Sequence, residues 1–260
     1  MLVLKLMLVA LSVLLSTLAA RRFGHHVGGA VAGMPMIAAP IIAILLLDHD
    51  AGQVRAVALA TLVCLPAAIV HIVCFAAGAG RWGVPVCLPL ALVAYACMSA
   101  ILTQLSLAPV LACLLALAAP AAGLWFAAHH VRPATPVAVP GLELVLRVAA
   151  AVAMAAVIIV GADVLPPAVS GLLLAVPITG TVLPCFTLPR YGAAATRSLM
   201  AGFLQGLHGF AAFFITLYWA LDATGRLAAF LIALGAALAT AAAMQALRRR
   251  IEQSGTAGTA

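Results

Sequence analysis

The residues of this chain that are most able to do chemistry are few, and they stand inside or at the ends of long apolar segments. His71 and His208 are histidines that lie well inside such segments. Histidine changes its charge near neutral pH, so either ring is a candidate to take up a coupling proton. Gln205 precedes His208 by three residues, which places both on one helical face. The alternative for each histidine is a neutral ring that bonds to a backbone carbonyl or to a neighbouring helix.

Two arginines begin apolar segments in different halves of the chain. Arg55 opens a segment in the first half, and Arg197 opens one in the second half. The first turn of a helix attracts anions because its amide groups are unpaired. An arginine there is a candidate ligand for a carboxylate or a phosphate. The alternative is a side chain that extends along the helix to the membrane surface.

Glycine and proline interrupt two further apolar segments, VGGAVAGMPMIAAP at 27–40 and VSGLLLAVPITGTV at 169–182. Proline removes a backbone donor and breaks the preceding turn, and in lipid the freed carbonyls must be satisfied by protein, water or a ligand. Such breaks therefore point to a binding site, although Gly29 and Gly33 also form a GxxxG pattern that lets helices pack closely. The candidate residues in these segments are Gly29, Gly33, Pro35, Gly171, Pro177, Thr179 and Thr181.

The two interrupted segments match at an offset of 142 residues. Gly29 then aligns with Gly171, Pro35 with Pro177, and Arg55 with Arg197. Four spans would form each unit, with a fifth span as linker. The units then begin five spans apart, so they must lie in opposite orientations. This inverted repeat is the architecture of many secondary transporters, whose site lies where the halves meet. The alternative is coincidence, because glycine and proline are frequent in membrane helices.

The composition indicates an all-α protein of the membrane. Of 260 residues, 67% are hydrophobic and 7% are charged, against about 45–50% and 25% in soluble domains. A soluble fold, a disordered chain and a nucleic-acid-binding domain are therefore excluded. The six cysteines include no CxxC pattern or zinc spacing and are interpreted as packing residues. Asp48-His49-Asp50 is interpreted as a solvated loop, so neither a metal nor a cofactor is predicted.

About nine segments are long enough to span a bilayer. Most arginines lie on one side of the resulting topology, which places that side in the cytoplasm of an inner-type membrane, with the N-terminus outside and the C-terminus inside. Residues 1–20 are interpreted as a retained span because Arg21 and Arg22 follow them, with a cleaved signal peptide as the alternative. The predicted spans are 2–20, 27–47, 54–78, 83–104, 106–128, 142–162, 165–187, 196–220 and 226–247.

These spans divide the chain into four parts. Residues 1–104 form the first repeat, 105–141 a linker helix and Pro-rich loop, 142–250 the second repeat, and 251–260 a disordered tail. Within span six, Glu143 and Arg147 are four residues apart and are expected to pair.

The sequence thus predicts a secondary transporter that moves a small substrate, anionic or amphipathic, by alternating access with proton coupling. There is no HExxH, no Walker A motif and no GxSxG, so no enzymatic activity is expected. Its partners would be the lipid bilayer, a small molecule or ion, and a further copy of the chain in a homo-oligomer. Two alternatives stay open: a non-catalytic subunit of a larger membrane assembly, and an enzyme that acts on a lipid-linked substrate.

Overall fold

A computed structural model describes residues 2–127, 140–164 and 177–257 of the chain, and within these ranges the regular structure is entirely helical. Gly171 and most of the Pro-rich loop lie outside the described residues. The helices are α1 (Leu2–Phe23), α2 (His25–Gly33), α3 (Ala38–Asp48), α4 (Ala51–Gly78), α5 (Val84–Gln104), α6 (Pro109–Ala127), α7 (Gly141–Val164), α8 (Ile178–Thr224) and α9 (Arg226–Ala257).

Seven helical segments of the described chain are long and apolar enough to cross a membrane. The predicted count of nine spans is therefore not confirmed. The predicted span at 142–162 corresponds to α7, in which the side chains at 154–155 and 157–164 lie outside the described part of the structure, and much of the predicted span at 165–187 also lies outside the described residues. The seven segments are Leu6–Phe23, His25–Leu47, Ala51–Gly78, Val84–Gln104, Pro109–Phe126, Ile178–Thr224 and Arg226–Arg248.

The second of these segments is a broken helix. α2 ends at Gly33, Met34 has an extended backbone, and α3 begins at Ala38. Pro35 lies in the break, where its missing N–H costs no helical hydrogen bond. Pro40 falls in the first turn of α3, a position that also tolerates proline. The sequence prediction of a break beside Pro35 is confirmed.

α8 consists of two helices joined at Gly192. An unbroken helix of 47 residues would be about 70 Å long, more than twice the thickness of a bilayer core. Gly192 interrupts it with φ 77 and ψ −178, a conformation that is essentially restricted to glycine. We call the two parts α8a (178–191) and α8b (193–224).

The centre of the fold is the antiparallel pair of α4 and α8b. Arg55, near the start of α4, pairs with Asp222, near the end of α8b. At the other end, Arg197 of α8b donates from Nε to the carbonyl oxygen of Ala76, at 3.2 Å. Since each helix begins where the other ends, the two run in opposite directions. They are also the most buried of the candidate spans.

α2 lies against α8b with glycine on both sides. A Cβ atom added to Gly29 would collide with the carbonyl oxygen of Leu199. Conversely, a Cβ atom on Gly202 would collide with the carbonyl oxygen of His26, and one on Gly206 with that of Ala30. The backbones of the two helices are therefore in direct contact, the close packing that small residues at four-residue spacing allow.

The turn between α5 and α6 is short, and the last helix is long. α5 ends at Gln104 and Ser106 adopts a positive φ of 43 before α6 begins, so the predicted turn between the fourth and fifth spans is confirmed. α9 continues to Ala257, ten residues beyond the end of the last predicted span at 247. The helix therefore includes most of the tail for which the sequence predicts disorder.

Candidate functional site

A cavity of about 110 Å³ lies where the break between α2 and α3 meets the start of α8a. We call it the central cavity. Ile37 and Ala38 line it from the start of α3, and Pro177 and Thr179 line it from the start of α8a. Its remaining walls come from α4 and α8b. A neighbouring cavity of about 70 Å³ lies beside it and shares three lining residues with it, Thr61, Pro177 and Phe210.

One hydrogen bond connects the two interrupted regions. The hydroxyl of Thr179, in the first turn of α8a, lies 3.3 Å from the carbonyl oxygen of Ala32, in the last turn of α2. Thr179 is buried, and so is Thr181, whose hydroxyl bonds back to the carbonyl of Pro177 at 3.0 Å. The break after Gly33 and the start of α8a are thereby held next to each other, as the Gly and Pro pattern predicts.

The electrostatic character of the central cavity comes from backbone groups. α3 and α8a both begin at it, and neither N-cap residue, Ile37 or Pro177, makes a side-chain capping bond. The N-terminal end of a helix carries a partial positive charge. In α3 the N–H of Ala39 donates to the carbonyl oxygen of Pro35 at 2.8 Å and Pro40 has no N–H, so α3 contributes few free donors and acts mainly through its helix dipole. The other walls are largely apolar, with Phe210, Phe214 and Ile42 among them. The arrangement can hold a small anion that also has an apolar part.

His71 lies close to this region but does not line the cavity. Its ring is fully buried, and Nε2 lies 3.2 Å from the hydroxyl oxygen of Thr181. The ring also meets Tyr95 edge to face, with 6.5 Å between the ring centroids. His71 therefore connects α4 with α8a and α5.

His208 and Gln205 are placed elsewhere. Nδ1 of His208 lies 3.0 Å from the carbonyl oxygen of Leu204 in its own helix, which is the alternative that the sequence left open. Gln205 lines a separate cavity together with His26 and Arg248, whose side chains are in contact. Neither His208 nor Gln205 lines the central cavity.

Arg55 and Arg197 lie at opposite ends of the pair of α4 and α8b, and each reaches from one helix of the pair to the other. Besides Asp222, Arg55 contacts Tyr218, whose hydroxyl oxygen lies 3.3 Å from Nη2 and whose ring lies beneath the guanidinium carbon. Arg197 bonds to Ala76, and its guanidinium fills the space that a Cβ atom on Gly80 would occupy. Both arginines close the ends of the helix pair and neither enters the central cavity.

The other candidate residues have mixed placements. Gly29 lies in the contact between α2 and α8b, and Gly33 lies both in that contact and beside the smaller cavity. Pro35 lies in the break. Gly171 lies outside the described residues.

A buried ionic cluster joins α7 to α8a. Glu143 and Arg147 pair at 2.5 Å, which confirms the predicted contact, and their side chains are only 8% and 2% exposed. Arg190 approaches the same carboxylate at 3.2 Å, and the hydroxyl of Tyr191 lies 3.3 Å from it. The ring of His25 lies 5.0 Å from that of Tyr191. Sequence spacing could identify the pair four residues apart but not partners more than forty residues away.

The acidic loop before α4 has a structural role. Asp50 accepts a hydrogen bond of 2.9 Å from the backbone N–H of Gln53, as an N-cap residue does. Nδ1 of His49 lies 3.0 Å from the side-chain oxygen of Gln53. In the described part of the chain, no group of three or more His, Cys, Asp or Glu residues could hold a metal ion.

No family model matches the chain, and neither a curated protein nor a solved structure is significantly similar to it. The proposal of a function therefore depends on the geometry alone.

Proposed function

We propose that the protein is a secondary transporter of a small amphipathic anion, such as a short-chain carboxylate, and that it works by alternating access. One observation carries the proposal: the N-terminal ends of two helices, α3 and α8a, line one cavity between two antiparallel helices. Interrupted helices whose N-termini face the substrate at the centre of the membrane are typical of secondary transporters. The small volume suits a small substrate.

The inverted repeat is part of this proposal, and the helix boundaries support it. α4 begins at 51 and α8b at 193, while α5 begins at 84 and α9 at 226. Each pair of starting points differs by 142, the offset that the sequence pattern suggests. The antiparallel contact of α4 with α8b also agrees with two units of opposite orientation.

Nine spans in an inner-type membrane, with the N-terminus outside, complete the proposed topology. The contacts support it because they join residues that the topology places on one side. Arg55 meets Asp222 and Arg226 bonds to the carbonyl of Leu46 on the proposed outer side. On the proposed cytoplasmic side, His26 meets Arg248.

Proton coupling is a further part of the proposal, and His71 is the stronger candidate. It contacts Thr181, which lies four residues after Pro177 in the half-helix that forms the central cavity. A change of charge on His71 would act directly on that half-helix. His208 bonds to its own helix instead. We therefore expect that His71→Gln abolishes the dependence of flux on a pH gradient and that His208→Gln leaves it unchanged.

The geometry of one contact favours a carrier over an enzyme. Among the described residues, the only threonine hydroxyl in contact with a histidine ring is that of Thr181, beside His71. A nucleophilic hydroxyl needs a base beside it and access to substrate. His71 is fully buried, and the hydroxyl of Thr181 is within bonding distance of the Pro177 carbonyl. This pair positions a helix and is not accessible to a substrate.

The proposal is tested with purified protein in sealed liposomes. Uptake of radiolabelled acetate, butyrate and hexanoate is measured with and without a pH gradient. Ala38→Leu adds three carbon atoms to the wall of the central cavity and is expected to reduce uptake at least about tenfold. Ala239→Leu makes the same change on an exposed face of α9 and is expected to leave uptake unchanged. Equal uptake in protein-free liposomes, or equal loss in both variants, would contradict the proposal.

A further inference from the structure

A larger cavity, of about 330 Å³, lies between α4, α6 and α8b and is distinct from the central cavity. We call it the arginine cavity. Arg81, just after α4, and Arg197 of α8b supply its charged groups. Val73, Phe126 and Leu204 supply apolar walls. None of its described lining residues is acidic.

The two guanidinium groups leave hydrogen-bond donors available in this cavity. Nε of Arg197 donates to the carbonyl oxygen of Ala76 at 3.2 Å. This bond fixes the position of the guanidinium group and does not involve its two terminal nitrogens. Arg81 is exposed. Two positive charges in one cavity without a facing carboxylate repel each other, and a bound anion would offset that repulsion. Guanidinium forms paired hydrogen bonds with the oxygens of phosphate.

Aromatic side chains place the arginine cavity at the surface of the bilayer. Trp82 follows Arg81 directly and is 45% exposed, while Trp125 and Phe126 at the end of α6 are 67% and 63% exposed. Exposed tryptophans at the ends of membrane helices lie at the level of the lipid headgroups. The phosphate groups of lipids therefore lie at the same depth as the two arginines.

We propose that the arginine cavity binds an anionic phospholipid. Arg81 and Arg197 hold its phosphate, and the first part of an acyl chain lies along Val73 and Phe126. The bound lipid would join α6 to the contact between α4 and α8b. This site does not depend on the proposed transport function, because it shares no lining residue with the central cavity.

The test is lipid binding to the full chain, purified in an uncharged detergent and followed by native mass spectrometry. Phosphatidylglycerol and phosphatidylcholine with identical chains are titrated separately. Phosphatidylglycerol is expected to bind at one site with an apparent Kd at least about tenfold lower than that of phosphatidylcholine. Arg81→Gln is expected to raise the Kd for phosphatidylglycerol at least about tenfold, since it removes a charge-assisted bond. Arg81→Lys keeps the charge but not the paired hydrogen bonds and is expected to give an intermediate Kd.

Arg21→Gln is the matched control, because it removes an exposed arginine that lies on the same proposed side and does not line the cavity. It is expected to leave the Kd unchanged. Equal affinity for both lipids, or equal effects of Arg21→Gln and Arg81→Gln, would overturn the proposal. Glycerol 3-phosphate is added as a competitor to separate two sources of phosphate. Its binding at micromolar concentration, lost in Arg81→Gln, would identify a soluble phosphate ester as the ligand and overturn the assignment to a lipid.

Discussion

Arg55 and Arg197 make equivalent contacts across the two halves of the chain. Arg55 reaches Tyr218 and Asp222, and Arg197 reaches Ala76 and Gly80. Each partner of one arginine lies 142 residues from the corresponding partner of the other, and the arginines themselves are 142 residues apart. This exchange of partners is the relation that the proposed inverted repeat predicts. The two ends differ in chemistry, however, because Asp222 is replaced by glycine at the end closed by Arg197.

Reversing the charges of Arg55 and Asp222 tests the antiparallel contact. Arg55→Asp alone places two carboxylates together, and Asp222→Arg alone places two guanidinium groups together, so each variant is expected to lower the thermal unfolding temperature in detergent. The double variant Arg55→Asp with Asp222→Arg restores opposite charges and is expected to recover most of the loss. Additive losses in the double variant would show that the two side chains do not interact.

Gly29→Ala tests the backbone contact between α2 and α8b. The new methyl group has no space beside the carbonyl of Leu199, and overpacking of this kind costs about 1–3 kcal/mol. Gly235→Ala is the control, because nothing lies within 4 Å of a Cβ atom there and alanine favours a helix by about 1 kcal/mol over glycine. Unfolding measured in mixed micelles is expected to move in opposite directions for the two variants. A Gly29→Ala variant as stable as the parent would contradict the described packing.

Glu143→Gln tests the buried ionic cluster. The change leaves Arg147 buried without its carboxylate, which costs about 3–5 kcal/mol. Replacing both partners, as Glu143→Gln with Arg147→Met, removes the buried charge as well and is expected to recover much of that loss. Arg190→Gln is expected to cost much less, since the Arg190 side chain is 50% exposed. The measurement is again unfolding in micelles, and similar losses in Glu143→Gln and Arg190→Gln would argue against a cluster centred on Arg147.

Gly192→Ala tests the joint between α8a and α8b. Gly192 has φ 77 and ψ −178, and a residue with a side chain pays about 1–3 kcal/mol to adopt such a conformation. Gly225, with φ 80 before α9, is expected to show a similar loss when changed to alanine. Gly141→Ala, which has open space around it and no positive φ, serves as the control and is expected to be neutral. If alanine is tolerated at 192 as well as at 141, the chain does not turn there as described.

Local patterns in the sequence predict the break between α2 and α3 and one ion pair, because proline acts on its own turn and the distance from Glu143 to Arg147 is one helical turn. The same reasoning identifies Thr179 beside the break. Partners from distant segments have no such signal. Nothing near Arg55 in the sequence points to Asp222, and nothing near Glu143 points to Arg190 or Tyr191.

One available signal was missed. Gly202 and Gly206 form a second GxxxG pattern, in addition to the one formed by Gly29 and Gly33. The two patterns are in contact in the structure. Read together, they predict that α2 packs on α8b. The placement of Gln205 away from the central cavity follows from the same contact, since α8b turns its glycine face toward α2.

The glycine contact also decides which parts of the molecule can move as one piece. α2 belongs to the first half of the sequence, yet its backbone touches the backbone of α8b in the second half, so the two cannot slide or separate without losing that fit. A rigid-body movement of α2 would therefore include α8b, and the bending would fall on the non-helical segment at 34–37 and on Gly192. The moving bodies would each contain residues from both halves of the sequence, and they would be divided at these two joints.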